Sequence, residues 1–119
     1  MIELKDVTGQ KFQILSKLDD DIVNKEKAKI VLIDTVAKLN DELDLIKSEI
    51  MVNINSEKLG DKPIYSNDKA REAELNRRLK EHKTYNETKD SYIEFVRSRH
   101  VIDIEIDSLK RKWEMMMVI

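Results

Sequence analysis

Apolar residues recur in alternating steps of three and four along the first half of the chain. The pattern begins at Leu15, Leu18 and Ile22 and resumes at Leu32, Val36, Leu39, Leu43, Ile46 and Ile50. Such spacing keeps one stripe of a helix turned toward a partner helix. It predicts a first long helix over residues 9–59, preceded by an extended lead-in over residues 1–8. Thr8 is the candidate N-cap, because its hydroxyl can accept a backbone N–H.

Two lysines interrupt this seam in the middle of the predicted helix. Lys25 and Lys29 stand where the spacing asks for apolar residues. A second apolar stripe runs beside the seam across the interruption and consists of Val23, Ile30, Ile33 and Ala37. The helix is therefore predicted to continue through both lysines and to carry more apolar surface than one seam covers.

The clearest break in the pattern lies at the centre of the chain, in the segment 59–63. Gly60 can take the left-handed backbone position that ends a helix, and Pro63 prevents the helix from resuming. Ser66, Asn67 and Asp68 are three successive N-cap candidates. A turn over residues 60–67 is short enough to fold a second helix back antiparallel to the first.

The second helix is predicted over residues 68–119. Its seam is interrupted at Arg99 and consists of Tyr85, Thr88, Tyr92, Phe95, Ile102, Ile106, Leu109, Trp113 and Met116. A neighbouring stripe begins at Leu75 and Leu79 and continues through Ile93, Val96 and His100. Segment 101–106 alternates at period two, as a strand does, but the longer seam that passes through it favours a helix.

The composition agrees with long helices. Charged residues make up 39% of the chain and aromatic residues 5%, with two glycines and one proline. The predicted fold is all-α, an antiparallel two-helix coiled-coil hairpin forming one domain. Because each helix carries a second apolar stripe, we expect hairpins to pair into a four-helix bundle, as a homodimer or higher oligomer. The alternative is a monomer whose apolar face is reserved for a different partner.

The residues predicted to form the self-association core are the seam positions of both helices. They are Leu32, Val36, Leu39, Leu43, Ile46, Ile50, Tyr92, Phe95, Ile102, Ile106, Leu109, Trp113 and Met116. The C-terminal segment 113–119 is rich in methionine, which suits either core packing or docking into a partner groove. Core packing is favoured, because Trp113 is in register with Leu109.

The sequence offers little catalytic or metal-binding chemistry. Cysteine is absent, and the two histidines, His82 and His100, lie five turns apart on one predicted helix. His100, Asp103 and Asp107 share a helix face and could hold a divalent ion across an oligomer axis, but solvated acids explain this spacing more simply. No glycine-rich phosphate loop is found. We therefore expect no enzymatic activity, no cofactor, no metal and no small-molecule substrate.

A basic segment at the start of the second helix is the strongest functional signal. It contains Lys69, Arg71, Arg77, Arg78, Lys80 and Lys83, bracketed by Tyr65 and Tyr85. These residues could contact an acidic partner, or grip single-stranded nucleic acid and stack a base. Interleaved acids at Glu72, Glu74 and Glu81 instead favour a salt-bridged, solvated face. Nucleic acid is therefore the alternative partner and another protein the preferred one.

The bulk charge and hydropathy bear on location. The formal net charge of -2 gives no general attraction to nucleic acid or to an anionic membrane. No N-terminal apolar run and no stretch of roughly 20 apolar residues is present, which argues against a signal peptide and a membrane span. A cytoplasmic protein without a membrane partner is expected.

The segment Lys62-Pro63-Ile64-Tyr65-Ser66-Asn67-Asp68-Lys69-Ala70-Arg71, followed by Ala73-Glu74-Leu75, resembles the turn of small helical-hairpin coiled-coil proteins of tailed phages and prophages. Those proteins are similar in size and tend to be encoded among early genes for replication and recombination. The resemblance implies a viral accessory protein acting in a bacterial cytoplasm. With the second apolar stripe, it favours an interaction protein, an accessory factor or inhibitor, that binds another protein such as a host or phage nuclease or recombination factor. It implies no catalytic residues. A structural component of a viral assembly is the remaining alternative.

Overall fold

The computed structural model describes residues 4–118, with side chains from Thr8 onward, and forms an all-α helical hairpin. The described elements are α1 (Leu4–Ser56), β1 (Lys58–Leu59), β2 (Lys62–Pro63), α2 (Asp68–Glu81) and α3 (Lys83–Val118). Contacts divide the hairpin into two compact units. The turn unit is Thr35–Phe95, and the terminal unit is Met1–Asp34 with Val96–Ile119.

The first helix begins earlier than the sequence predicted. Because α1 starts at Leu4, the extended lead-in is wrong for residues 4–8, and Thr8 is not an N-cap; residues 1–3 lie outside the described part. The sequence contains the reason. Leu4, Val7 and Lys11 precede Leu15 at steps of three and four, so the helical spacing extends back through Gly9, whose interior cost is only about 1 kcal/mol.

The turn contains a small β-hairpin that the sequence did not predict. α1 ends at Ser56, and β1 pairs antiparallel with β2, with Lys58 opposite Pro63 and Leu59 opposite Lys62. Gly60 has a φ of 68° and is the single described residue with a positive φ. This places it at the first central position of a two-residue hairpin turn of type II′. Gly60 is therefore left-handed as predicted, but in the hairpin and not at a helix end.

The predicted second helix is divided in two at His82. The backbone N–H of His82 donates to the carbonyl of Leu79 at 3.2 Å and closes α2. Its ring Nδ1 accepts from the Tyr85 N–H at 2.9 Å, and its carbonyl accepts from the Asn86 N–H at 3.1 Å, which opens α3. One residue thus serves as the C-cap of one helix and the N-cap of the next. The prediction of one uninterrupted helix over 68–119 is wrong at this point.

The start of α2 confirms one of the three N-cap candidates. Asn67 has an extended backbone, and its side-chain oxygen accepts from the Ala70 N–H at 2.8 Å. This bond satisfies one of the backbone donors left unpaired at the start of a helix. It fixes where the chain leaves the turn and places the basic segment on the first helix after it.

The core of the turn unit lies where three helical segments and the turn meet. Its buried residues are Leu43, Ile50, Ile54, Leu79 and Tyr85, with Ile46, Tyr65, Leu75 and Tyr92 packed against them. Ile54 is 1% exposed and is the most completely buried side chain described. It lies in the last turn of α1, which shows that this end of the helix is held by tertiary packing.

The seam of the terminal unit is covered less completely. Ile106 is its one buried apolar residue among those described, while Leu32, Ile102, Leu109, Trp113 and Met116 are half-buried. Of the seam residues in the turn unit, Val36 and Leu39 are half-buried and Phe95 is 36% exposed. With the exception of Phe95, the residues predicted as a self-association core are therefore buried or half-buried in the single chain. The stripe beside the seam of α1 is exposed and consists of Val23, Ile30, Ile33 and Ala37.

No helix within residues 4–118 combines the length and the apolar character needed to cross a bilayer.

Candidate interaction surface

The arginines of the basic segment are held by glutamates of the same unit. Glu74 is the centre of the network: Arg77 approaches it at 2.6 Å and Arg78 at 2.8 Å. Arg78 also reaches back to Glu57, beyond the end of α1, at 2.7 Å, and Arg77 pairs with Glu81 at 3.2 Å. The salt-bridged face predicted from the interleaved acids is confirmed for Glu74 and both arginines. The Glu57 contact fastens α2 to the end of α1.

The two arginines change the acidity of the carboxylates they contact. Hydrogen bonds from Arg77 and then Arg78 lower the pKa of Glu74 to about 2. A hydrogen bond from Arg78 lowers the pKa of Glu57 below its ordinary value. Glu74 therefore remains ionised well into the acidic range.

The other members of the basic segment differ in how they are engaged. Arg71 pairs with Asp68 at 2.5 Å and donates to the carbonyl oxygen of Tyr65 at 3.1 Å. Lys83 lies 3.9 Å from Glu87. Lys69 and Lys80 are exposed and join no ion pair within the described part of the chain. The structure therefore pairs four of the six basic side chains with nearby acids and leaves Lys69 and Lys80 outside these pairs.

The two tyrosines that bracket the basic segment belong to the core. Tyr85 is 7% exposed, and half-buried Tyr65 packs against the same cluster. A base can stack on an aromatic ring only where the ring face is open to solvent. The expectation that Tyr85 serves as a stacking platform is therefore wrong. The spacing that marked it as a seam residue was the stronger signal.

The histidine and the two aspartates considered as metal ligands do not form a site. Asp103 pairs with Lys29 at 2.5 Å, and hydrogen bonding from Lys29 lowers its pKa. Asp107 and His100 are exposed. Among residues whose side chains the structure describes, no group of three or more acids or histidines converges on a possible ion position.

The lysines that interrupt the seam are matched by acids on the opposite helix. Lys25 pairs with Glu105 and Lys29 pairs with Asp103, while Glu26 pairs with Lys110 at 3.4 Å. Asp103 and Glu105 come from segment 101–106, whose alternation suggested a strand, and which is helical as predicted. The interruption is thus a set of cross-helix ion pairs in the terminal unit. Its partners became visible only once the register of the two helices was known.

The Lys29–Asp103 pair lies at one edge of the seam. Apolar side chains lie along the same edge of α1 and α3. Ile33 lies one turn beyond Lys29, and Ile30 lies about 100° further around α1. Val96 precedes Asp103 by seven residues and is nearly in line with it along α3. All three are exposed, Ile30 by 60%. We call this set the apolar flank and define it as Val23, Ile30, Ile33 and Val96.

Three members of the apolar flank, Val23, Ile30 and Ile33, belong to the stripe predicted beside the seam of the first helix, and Val96 belongs to the stripe predicted on the second helix. Val23 lies seven residues before Ile30 and is also exposed, so the flank extends for more than two turns along α1. A monomeric hairpin therefore leaves this surface in water, at roughly 25 cal/mol for each Å² of apolar area. The flank is one of the exposed apolar surfaces of the terminal unit, together with Phe12 and the end of α3.

The methionine-rich C-terminal segment divides between core and surface. Trp113 and Met116 are half-buried, as core packing predicts, and the Trp113 Nε1–H finds no acceptor within the described residues. Met115, Met117 and Val118 are exposed. A cavity of about 270 Å³ lies between Ile14, Leu18 and the methionines 115 and 116. The end of α3 therefore adds to the apolar surface of the terminal unit.

Comparisons of the chain with protein-family models, with curated proteins and with solved structures found no match.

Proposed function

We propose that the protein is a non-enzymatic coiled-coil interaction protein. Its apolar flank is covered by a second copy, giving a four-helix bundle, and the assembled bundle binds another protein. The observation that supports this proposal is the amount of uncovered surface. A compact monomer of 14.0 kDa exposes roughly 6,700 Å², whereas this chain exposes 9324 Å².

The excess is about 2,600 Å², and a stable protein interface of standard size needs about 800 Å² from each partner. Apolar residues contribute much of the exposed surface, including the apolar flank and the end of α3. The first covering molecule we propose is another copy, because a self-complementary stripe is satisfied by a two-fold interface without any further component.

Analytical ultracentrifugation of two neighbouring variants tests this step. Ile30 is 60% exposed on the apolar flank, and Val31, 64% exposed, is turned about 100° away from it. We expect Ile30→Asp to give a monomer that keeps its helical circular dichroism. Val31→Asp is the matched control and should sediment as the wild-type oligomer does. A monomeric wild-type protein, or equal dissociation by both variants, would contradict the proposal.

The same variants test the second step. From a bacterial lysate, wild-type protein and Val31→Asp should retain one and the same protein, which Ile30→Asp fails to retain. The resemblance to phage hairpins makes a nuclease or recombination factor in a bacterial cytoplasm the proposed target, and inhibition or activation of the purified target measures the effect. Retention by Ile30→Asp would place the partner site elsewhere.

The alternatives are a single-strand nucleic-acid accessory, which uses the basic segment, and a structural assembly component. They stay predictions. DNA affinity that falls steeply with salt and is lost in Arg77→Glu with Arg78→Glu would favour the first. Stable large multimers that retain no soluble partner would favour the second.

A further inference from the structure

A polar cavity lies beside the break between α2 and α3, in the turn unit. His82 ends one helix and starts the next, so the last turn of α2 and the first turns of α3 form two of its walls. α1 supplies the third wall through Lys47. The cavity measures about 430 Å³, within the range of roughly 300–1,000 Å³ that small-molecule sites occupy.

The charged residues that line this cavity are all lysines. Lys47, Lys80 and Lys89 come from α1, α2 and α3, and no aspartate or glutamate lines the cavity with them. None of the three joins an ion pair within the described part of the chain. This differs from α2 nearby, where Arg77 and Arg78 both pair with Glu74. Three ammonium groups without acidic partners form a local positive potential inside a concave wall.

Two of the ammonium groups are positioned by the core. The Nζ atoms of Lys47 and Lys89 lie 5.9 Å and 6.0 Å from the centroid of the Tyr85 ring. Tyr85 is buried in the cluster with Leu79, and both residues line the floor of the cavity. Because the core holds the ring in place, the cation–π contacts with the ring restrain the positions of the two ammonium groups.

Two carboxamides complete the polar lining. Asn86 donates from Nδ2 to the carbonyl oxygen of Lys80 at 3.0 Å, which ties the first turn of α3 to the last turn of α2. Asn76 carries N–H donors that can reach an oxyanion. Ammonium groups that act as point charges, together with amide donors, are the set with which proteins bind phosphate oxygens.

We propose that this cavity, lined by Lys47, Lys80, Lys89 and Asn76, is a binding site for a diphosphate group. The three positive charges match an oxyanion that carries several negative charges better than they match a single carboxylate. The buried Tyr85 ring leaves no platform for a stacked base, so the phosphates supply the recognition. The site is separate from the apolar flank, and it is not part of the interaction function proposed above.

Isothermal titration with inorganic diphosphate and with ADP tests this site, with ³¹P NMR as a second readout. We expect binding by the wild-type protein, and about tenfold or greater weakening in the triple variant Lys47→Gln, Lys80→Gln, Lys89→Gln. The control replaces three other exposed lysines of the turn unit, Lys38, Lys58 and Lys62, by glutamine. The control has the same net charge as the triple variant and should bind as the wild type does.

The outcomes distinguish a free diphosphate from a nucleotide as the ligand. They also distinguish failure of the diphosphate site from failure of the proposed interaction function. Equal affinity for diphosphate and ADP identifies a free diphosphate as the ligand, whereas tighter binding of ADP that is lost in the triple variant identifies a nucleotide. Ile30→Asp should bind diphosphate normally, whatever its oligomeric state. Absence of binding to either probe, or equal weakening by the control, would overturn the site while leaving the interaction proposal untouched.

Discussion

The turn unit and the terminal unit are built from the same kind of helix but cover their apolar surface to different extents. The turn unit brings α1, α2, α3 and Tyr65 of the turn together, and five of its residues form a buried cluster. In the terminal unit α1 meets only α3, and Ile106 is its one buried apolar residue among those described. Two helices can enclose one narrow seam, whereas an additional wall is needed to enclose a core.

Because the two units bury their apolar residues to different extents, we expect them to have different roles. A buried cluster with capped helix ends and a glutamate–arginine network stabilises the turn unit within a single chain. The terminal unit has lysine–acid pairs in its seam and an exposed apolar flank, which is the surface that we propose a second copy covers. We therefore expect the stability of the monomer to depend mainly on the turn unit and its assembly mainly on the terminal unit.

The largest expected loss in the free energy of unfolding is that of Ile54→Ala. This side chain is 1% exposed, and removal of a buried isoleucine leaves a cavity that costs about 3 kcal/mol. Leu59→Ala is the matched control, because Leu59 lies in the same turn region and is 81% exposed; its cost should stay within about 0.5 kcal/mol. Urea unfolding measures both. Similar losses in the two variants would show that the turn unit is not held by its core.

The second effect concerns the cap at His82. His82→Ala removes the Nδ1 acceptor for the Tyr85 N–H and should lower the free energy of unfolding by about 1 kcal/mol. His82→Asn supplies an amide oxygen at the same position and should recover most of the loss, since asparagine is a favourable N-cap. If alanine and asparagine gave the same stability, the ring nitrogen would have no capping role.

His82 and Gly60 show which parts of the fold could be predicted from the sequence and which could not. The steps of three and four gave both long helices, and Gly60 with Pro63 located the turn. The break at His82 has no glycine or proline beside it. Its one signal in the sequence was the step of six residues from Leu79 to Tyr85, which departs from the helical steps of three and four. A histidine that caps two helices is a tertiary arrangement, because the core holds Leu79 and Tyr85 on either side of it.

The candidate sites were less predictable than the fold. The basic segment was visible in the sequence, but the Arg78–Glu57 contact joins residues 21 positions apart and needs the turn to be known. The lysine cavity takes Lys47 from one helix and Lys89 from another, and no local spacing connects them. The apolar flank was predicted almost residue by residue, because helical periodicity alone determines which side chains the seam leaves uncovered.

A smaller effect should appear as the pH is lowered. Glu74 has a pKa of about 2, lowered by Arg77 and Arg78, against an ordinary value of 4.5. A carboxyl whose pKa is depressed on folding stabilises the folded state above the unfolded pKa, and this contribution is lost as the pH falls from about 4.5 toward 2. In Glu74→Gln that part of the pH dependence should disappear. A Glu74 carboxyl resonance that titrates near 4.5 by NMR would contradict the network.

The smallest effect tests the ion pairs that interrupt the seam of the terminal unit. Lys29→Asp places a second acid opposite Asp103 and should lower the melting temperature slightly, since both side chains are partly exposed and screened. Combining it with Asp103→Lys restores opposite charges in reversed order, so the double variant should be more stable than the sum of the single changes predicts. The coupling should fade in about 1 M salt, where the screening length is about 3 Å. A coupling that is absent at low salt would mean that the lysines only interrupt the seam and that Asp103 does not compensate for them.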